Sequence, residues 1–133
     1  MQFTQEENDS LQQLGIEALV LFGSRAQGLN RAASDFDFGV LLERTPSAQR
    51  RSEIYDALYD LLSSKIRQLV DIDIVFLYDA PMELRAHAAA YGLPLYERNA
   101  NSFARFRQRV MEQYADFVPL RDVFHQAILS RIP

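Results

Sequence analysis

A chain of 133 residues in which 48% are apolar has enough material for one hydrophobic core and is short for two domains. The formal net charge of −4 argues against a basic nucleic-acid-binding surface, and the absence of cysteine excludes disulfide scaffolds and thiolate zinc sites. No apolar run reaches the roughly 18 residues that a membrane helix needs, and no apolar segment follows a basic N-terminus, so the expected setting is soluble and cytoplasmic.

Thr4-Gln5-Glu6-Glu7 has the form of a capping box, with acidic residues where the helix dipole favours them. It predicts a helix from Gln5 to Leu14, ended by Gly15. The apolar run Ala18-Leu19-Val20-Leu21-Phe22 predicts a buried strand over Ile16 to Phe22, and Gly23-Ser24 stands where that strand stops. Arg25 to Ser34 is polar and small, with Gly28 and Asn30 as breakers, and predicts a single helical turn and a loop.

Asp35 to Leu42 predicts a second strand that buries Phe36, Phe38 and Val40 on one face and turns Asp35 and Asp37 to the other. Aspartate is a poor strand residue, and two like charges one pleat apart repel, so the pair calls for a cation between them. Mg²⁺ fits, because it is commonly held by one or two carboxylates with water and phosphate oxygens completing its shell. Gly23-Ser24 supplies the complementary half: backbone without a Cβ, N–H groups and a hydroxyl suited to a phosphate.

Thr45-Pro46 makes a turn, and Ser47 caps a helix to Ser64 with Ile54, Leu58, Leu61 and Leu62 on one stripe. Leu69 to Leu77, LVDIDIVFL, predicts a third strand with Asp71 and Asp73 on a shared face. A helix follows, with Pro81 in its first position and Gly92 at its end. Leu93 to Tyr96 predicts a short edge strand, since Pro94 does not suit a central one. From Asn101 the pattern is helical, with Phe103, Phe106, Val110, Tyr114 and Phe117 on one stripe, and Pro119 predicts a break before a final helix.

Gly23-Ser24, ten residues, Asp35-Phe36-Asp37 and a later aspartate on an apolar strand resemble the nucleotidyltransferases of the DNA polymerase β superfamily. More narrowly, GSRAQG followed by SDFD, and the downstream DIVFLYDAPMELRAHAAAYGLPLYER, resemble the minimal nucleotidyltransferase (MNT, MntA-like) antitoxin family over Leu11 to Arg98. The resemblance implies a mixed α/β (α+β) fold, a small mixed sheet flanked by helices with C-terminal helices. The length reads as one domain over residues 1–133, in which the resemblance covers a core at about 11–98 and the helical pattern gives a tail at about 101–131. The resemblance makes Asp73, not Asp71, the third catalytic and metal-binding carboxylate beside Asp35 and Asp37. Gly23, Ser24, Arg25 and Gly28 become the nucleotide-binding residues.

The implied activity is Mg²⁺-dependent transfer of AMP from ATP, with two ions, to a hydroxyl of a HEPN-domain ribonuclease toxin, a tyrosine by family expectation. The chain would then be the antitoxin of a toxin–antitoxin pair and form a hetero-oligomer with the toxin, without direct nucleic-acid binding. Two alternatives remain open: an antitoxin that acts by binding alone, and a small-molecule nucleotidyltransferase like those that modify aminoglycosides. His87 and His125 read as surface or packed helical residues, and the arginines at 98, 105, 107 and 109 as a solvated face or a docking surface.

Overall fold

The computed structural model describes residues 1–131, so the last two positions of the expected 1–133 span lie outside the described residues. The elements run α1 (Gln5–Gln13), β1 (Ile16–Phe22), β2 (Phe36–Leu42), α2 (Ala48–Lys65), β3 (Ile72–Phe76), α3 (Met82–Tyr91), β4 (Leu93–Glu97) and α4 (Ser102–Leu129). The capping box of α1 is complete: Thr4 Oγ1 accepts from the Glu7 N–H at 3.2 Å, and the Thr4 N–H donates to Glu7 Oε1 at 2.8 Å. Ser47 caps α2 in the same way, accepting from the Arg50 N–H at 3.2 Å.

The sheet has the order β3-β2-β1-β4, with β1 antiparallel to both β2 and β4, and β2 parallel to β3. A parallel pair needs a crossover, which α2 supplies. Helices cover both faces. Leu19, Leu21, Phe36, Phe38 and Val40 pack against Leu11 of α1 and against Ile54, Leu58 and Leu62 of α2. On the other face Val20 and Phe22 meet Ala86, Ala88 and Ala89 of α3 and Phe103, Phe106 and Val110 of α4. The alanines on α3 let that helix lie close to the strands, so whatever protrudes from β2 on this face comes near α3.

Two expectations are corrected. β3 is shorter than Leu69 to Leu77, because β2 begins at Phe36 opposite Ile72 and leaves residues 69–71 without a full ladder partner. Leu69 is fully exposed there, and Asp71 contributes only its carbonyl, which accepts the Phe36 N–H at 2.9 Å. The tail is one helix of 28 residues with Pro119 inside it, where a break was expected. A proline removes one helical hydrogen bond and crowds the preceding turn, at about 3 kcal/mol. Here α3 braces both sides of the fault: the Tyr114 hydroxyl donates to Glu83 Oε2 at 3.0 Å, and Arg121 pairs with Glu83 Oε1. Arg121 first, then Tyr114, holds the Glu83 carboxyl below its usual range.

Candidate active site

At the end of β1 the chain reverses through Gly23, whose carbonyl accepts the N–H groups of Ala26 at 3.2 Å and Gln27 at 3.3 Å. Gly23 has φ +78°, and a Cβ there would lie 2.4 Å from Asp37 Oδ2. Both facts demand glycine: the dihedral because L side chains avoid it, the contact because the turn rests against the carboxylate. The register explains the contact, since Phe22 faces Asp37 across the antiparallel β1–β2 ladder.

Asp37 in turn lies directly opposite Asp73 in the parallel β2–β3 ladder. Paired residues in a ladder share a face, so both carboxylates project from the side opposite Phe36 and Phe38. The strand order therefore sets the Gly23-Ser24 turn, Asp37 and Asp73 side by side across three adjacent strands. Asp35, expected as the first residue of the strand, instead sits one residue before β2, ahead of the first ladder pair Phe36 and Ile72, and is exposed; it is near enough for its charge to act on Asp37. Burial, followed by the negative charges of Asp73 and Asp35 and a hydrogen bond with Asp73, pushes the Asp37 carboxyl above its ordinary range. His87 of α3 opposes that shift. Its ring stands edge-on to Phe22 with centroids 6.5 Å apart.

The remaining expected residues are placed differently. Gly28 is exposed in the turn that follows, with φ +72° and no neighbour for a Cβ within 4 Å. The Ser24 carbonyl accepts the Leu29 N–H at 2.9 Å, closing the same turn. Arg25 directs its guanidinium to the loop ahead of Asp35, donating to the Ser34 carbonyl from Nε at 3.0 Å and Nη2 at 2.9 Å. Asp71 lies outside the β3 ladder. Asp35 and Asp71 both border a cleft of about 490 Å³ shared with Tyr59 and Gln68. A larger cleft of about 700 Å³, lined by Glu7, Lys65 and Arg67, includes neither Asp37 nor Asp73, so size alone is a poor guide to the chemistry here.

Among the described residues no three histidine, cysteine or acidic side chains gather into a metal cage. The donor set is instead open: two ladder-paired carboxylates, a third acid two residues away, and the Gly23-Ser24 turn against one of them. This fits Mg²⁺, which keeps several waters and takes phosphate oxygens from its substrate, better than a cation that demands a closed protein shell. The raised Asp37 carboxyl records the same deficit of positive charge. His87 and the orientation of Arg25 were not legible in the sequence, because both depend on where α3 and the loop at 31–34 fall after folding.

Comparison with known proteins bears on the family and the fold. The family described as Polymerase beta, Nucleotidyltransferase matches residues 6–101. The protein adenylyltransferase MntA of Aphanizomenon flos-aquae (strain 2012/KM1/D3) is 34% identical over 106 residues, which span 72% of this chain and 67% of the relative. Among solved structures, a chain of a toxin–antitoxin crystal structure with AMP-PNP is similar with a TM-score of 0.68 at 22% identity, covering 92% of this chain and 98% of that one. A chain from the complex of tri-AMPylated Shewanella oneidensis HEPN toxin with MNT antitoxin gives 0.63 at 20% identity, covering 94% and 98%. At these identities the structural likenesses speak to the fold, which is that of polymerase beta-like nucleotidyltransferases. The family match over the sheet and its turn, together with the MntA relative, places this chain in the polymerase beta nucleotidyltransferase family, among its minimal, MntA-like members.

Proposed function

We propose that this protein is an Mg²⁺-dependent adenylyltransferase that moves AMP from ATP to a tyrosine hydroxyl of a HEPN-type ribonuclease toxin, acting in the cytoplasm as that toxin's antitoxin. The observation that carries the reading is the row formed by Gly23-Ser24, Asp37 and Asp73 on three adjacent strands. The MntA relative, named a protein adenylyltransferase, supports the reaction class. The similar structures, described as toxin–antitoxin complexes, support the kind of partner. Among the described residues no helix is long and apolar enough to cross a membrane.

In this reading the Gly23-Ser24 turn binds the β and γ phosphates through backbone N–H groups and the Ser24 hydroxyl. Asp35 and Asp37 would hold one Mg²⁺ and, with Asp73, a second; when bound, such a pair stabilises charge on the attacking and leaving oxygens. The acceptor oxygen attacks the α-phosphorus, the bond to the bridging β-phosphate oxygen breaks, and pyrophosphate leaves with that electron pair. Asp73, on the edge strand and exposed, takes or orients the acceptor's proton. Arg25 is not assigned to a phosphate, since its guanidinium is committed to the 31–34 loop.

The test is intact mass of the HEPN-domain protein encoded beside this one, after incubation with this chain, ATP and Mg²⁺. One or more AMP masses are expected, absent with Asp35→Asn. No gain in mass from a pair that still co-elutes would favour the second reading, a binding-only antitoxin. That reading draws on the outer half of α4, where Leu120, Val123, Phe124, Ile128 and Leu129 are each more than half exposed.

A further inference from the structure

We propose that Arg25 is the positioning residue that fixes Asp35, by clamping the chain on both sides of it. This rests on the transferase reading above for its catalytic consequence, though not for its geometry. Asp35 lies outside every strand, so the β ladder that orients Asp37 and Asp73 does not hold it. The turn before it is closed by the Ser34 N–H on the Arg31 carbonyl at 3.0 Å and the Arg31 N–H on Ser34 Oγ at 2.8 Å, and Arg25 is the side chain that reaches both of its neighbours. On the N-terminal side, Arg25 donates two hydrogen bonds to the Ser34 carbonyl, at 3.0 and 2.9 Å, with further ones to Ala32 at 3.3 Å and Arg31 at 3.5 Å. On the C-terminal side, the guanidinium carbon lies 3.8 Å from the centroid of the Phe36 ring.

The same Nη2 reaches Gln68 Oε1 at 3.3 Å, in the segment that leads into β3. Arg25 itself follows Gly23-Ser24 directly. One guanidinium thus joins the three stretches that bring the phosphate turn, Asp35 and Asp73 to the site. Phe36 is pinned independently, its ring stacked on Phe38 at 6.0 Å and its N–H on the Asp71 carbonyl, so the stacked face of Arg25 is a rigid platform. The loop it restrains, by contrast, is exposed from Gln27 to Ala33. Only a planar fork serves here: it bonds along its edges and stacks on its face at once, which an ammonium cannot do.

The experiment compares Arg25→Ala and Arg25→Lys with the unaltered protein by three measurements. Hydrogen exchange should speed up in residues 29–35 of both variants while β1 and β2 stay protected. Mn²⁺ affinity, followed by electron paramagnetic resonance with AMP-PNP present, should weaken about tenfold, the scale for losing support behind a metal ligand. In AMP transfer to the neighbouring HEPN-domain protein, kcat should fall about 10²-fold with KM for ATP within about twofold, and lysine should not rescue.

Unchanged exchange in 29–35 would overturn the clamp. A raised KM for ATP with kcat kept, restored by lysine, would make Arg25 a phosphate ligand and overturn it equally. If the unaltered protein neither transfers AMP nor binds Mn²⁺ while the loop is still released in the variants, the transferase reading itself has failed and the clamp has no catalytic role. Those failures differ, because exchange is read without any substrate.

Discussion

The two sides of β2 differ residue by residue. Phe36, Phe38 and Val40 point into the layer formed with α1 and α2 and belong to its core, with Phe38 and Val40 fully buried. Asp37 and Gly39, between them, face the α3 side, where Asp37 belongs to the proposed site and Gly39 makes room for Leu77. One strand therefore supplies stability on one face and the candidate carboxylate on the other, because its period of two separates them completely. The lesson is that the site is held by its neighbours along the strand while it weakens the fold itself: Asp37 is a half-buried carboxyl beside two other acids.

The largest test of this division is Asp37→Asn. It should lower kcat for AMP transfer by about 10³-fold or more, equivalent to about 4 kcal/mol of transition-state stabilisation, with an unchanged far-ultraviolet circular dichroism spectrum. Leu58→Ala, in the α2 layer that packs against the apolar face of β2, should do the reverse. Urea denaturation should show a loss of about 2–5 kcal/mol, while kcat per folded molecule at low temperature stays near that of the unaltered protein.

Gly39→Ala sharpens the comparison further, because a Cβ there would lie 2.7 Å from Leu77 Cδ1. We expect a loss of about 1–3 kcal/mol from overpacking, less than additive with Leu77→Ala, and a double-mutant cycle reads that coupling. The smallest effect is on pH dependence. The folded state raises the Asp37 pKa, so across that window it binds the proton more tightly than the unfolded chain does, and its contribution to stability declines as pH rises through the raised value. Glu7 and Glu83 are shifted down and act with the opposite sign, losing their contribution as pH falls. The difference between the metal-free protein and Asp37→Asn isolates the Asp37 part: Asn should gain stability toward neutral pH, by less than about 1 kcal/mol given solvent screening, and added Mg²⁺ with AMP-PNP should cancel the gain.

Much of the fold was legible because its signals are local. The Thr4 capping box, the Ser47 cap, the apolar run of β1 and the alternation of β2 each concern residues within one turn or one pleat, and each element forms where expected. The edge position of β4 was also legible, since Pro94 cannot donate to a second neighbour. Pro119 shows the limit of local rules. A proline normally breaks a helix, but Glu83, some thirty residues earlier, binds Tyr114 and Arg121 on both sides of it.

The candidate site divides along the same line. By itself the sequence determined that Gly23-Ser24 ends a strand and that one apolar residue separates Asp35 from Asp37, because these are local properties of the chain, and the resemblance of its motifs pointed to the nucleotidyltransferases. The family resemblance already preferred Asp73 to Asp71, but only the tertiary structure made Asp73 the ladder partner of Asp37, brought His87 near enough for its charge to act on Asp37, and turned Arg25 to the Asp35 loop. Each of those depends on strand register or helix placement, which is set by how β2 pairs with β3 and how α3 packs on β1, and no short stretch of sequence encodes it.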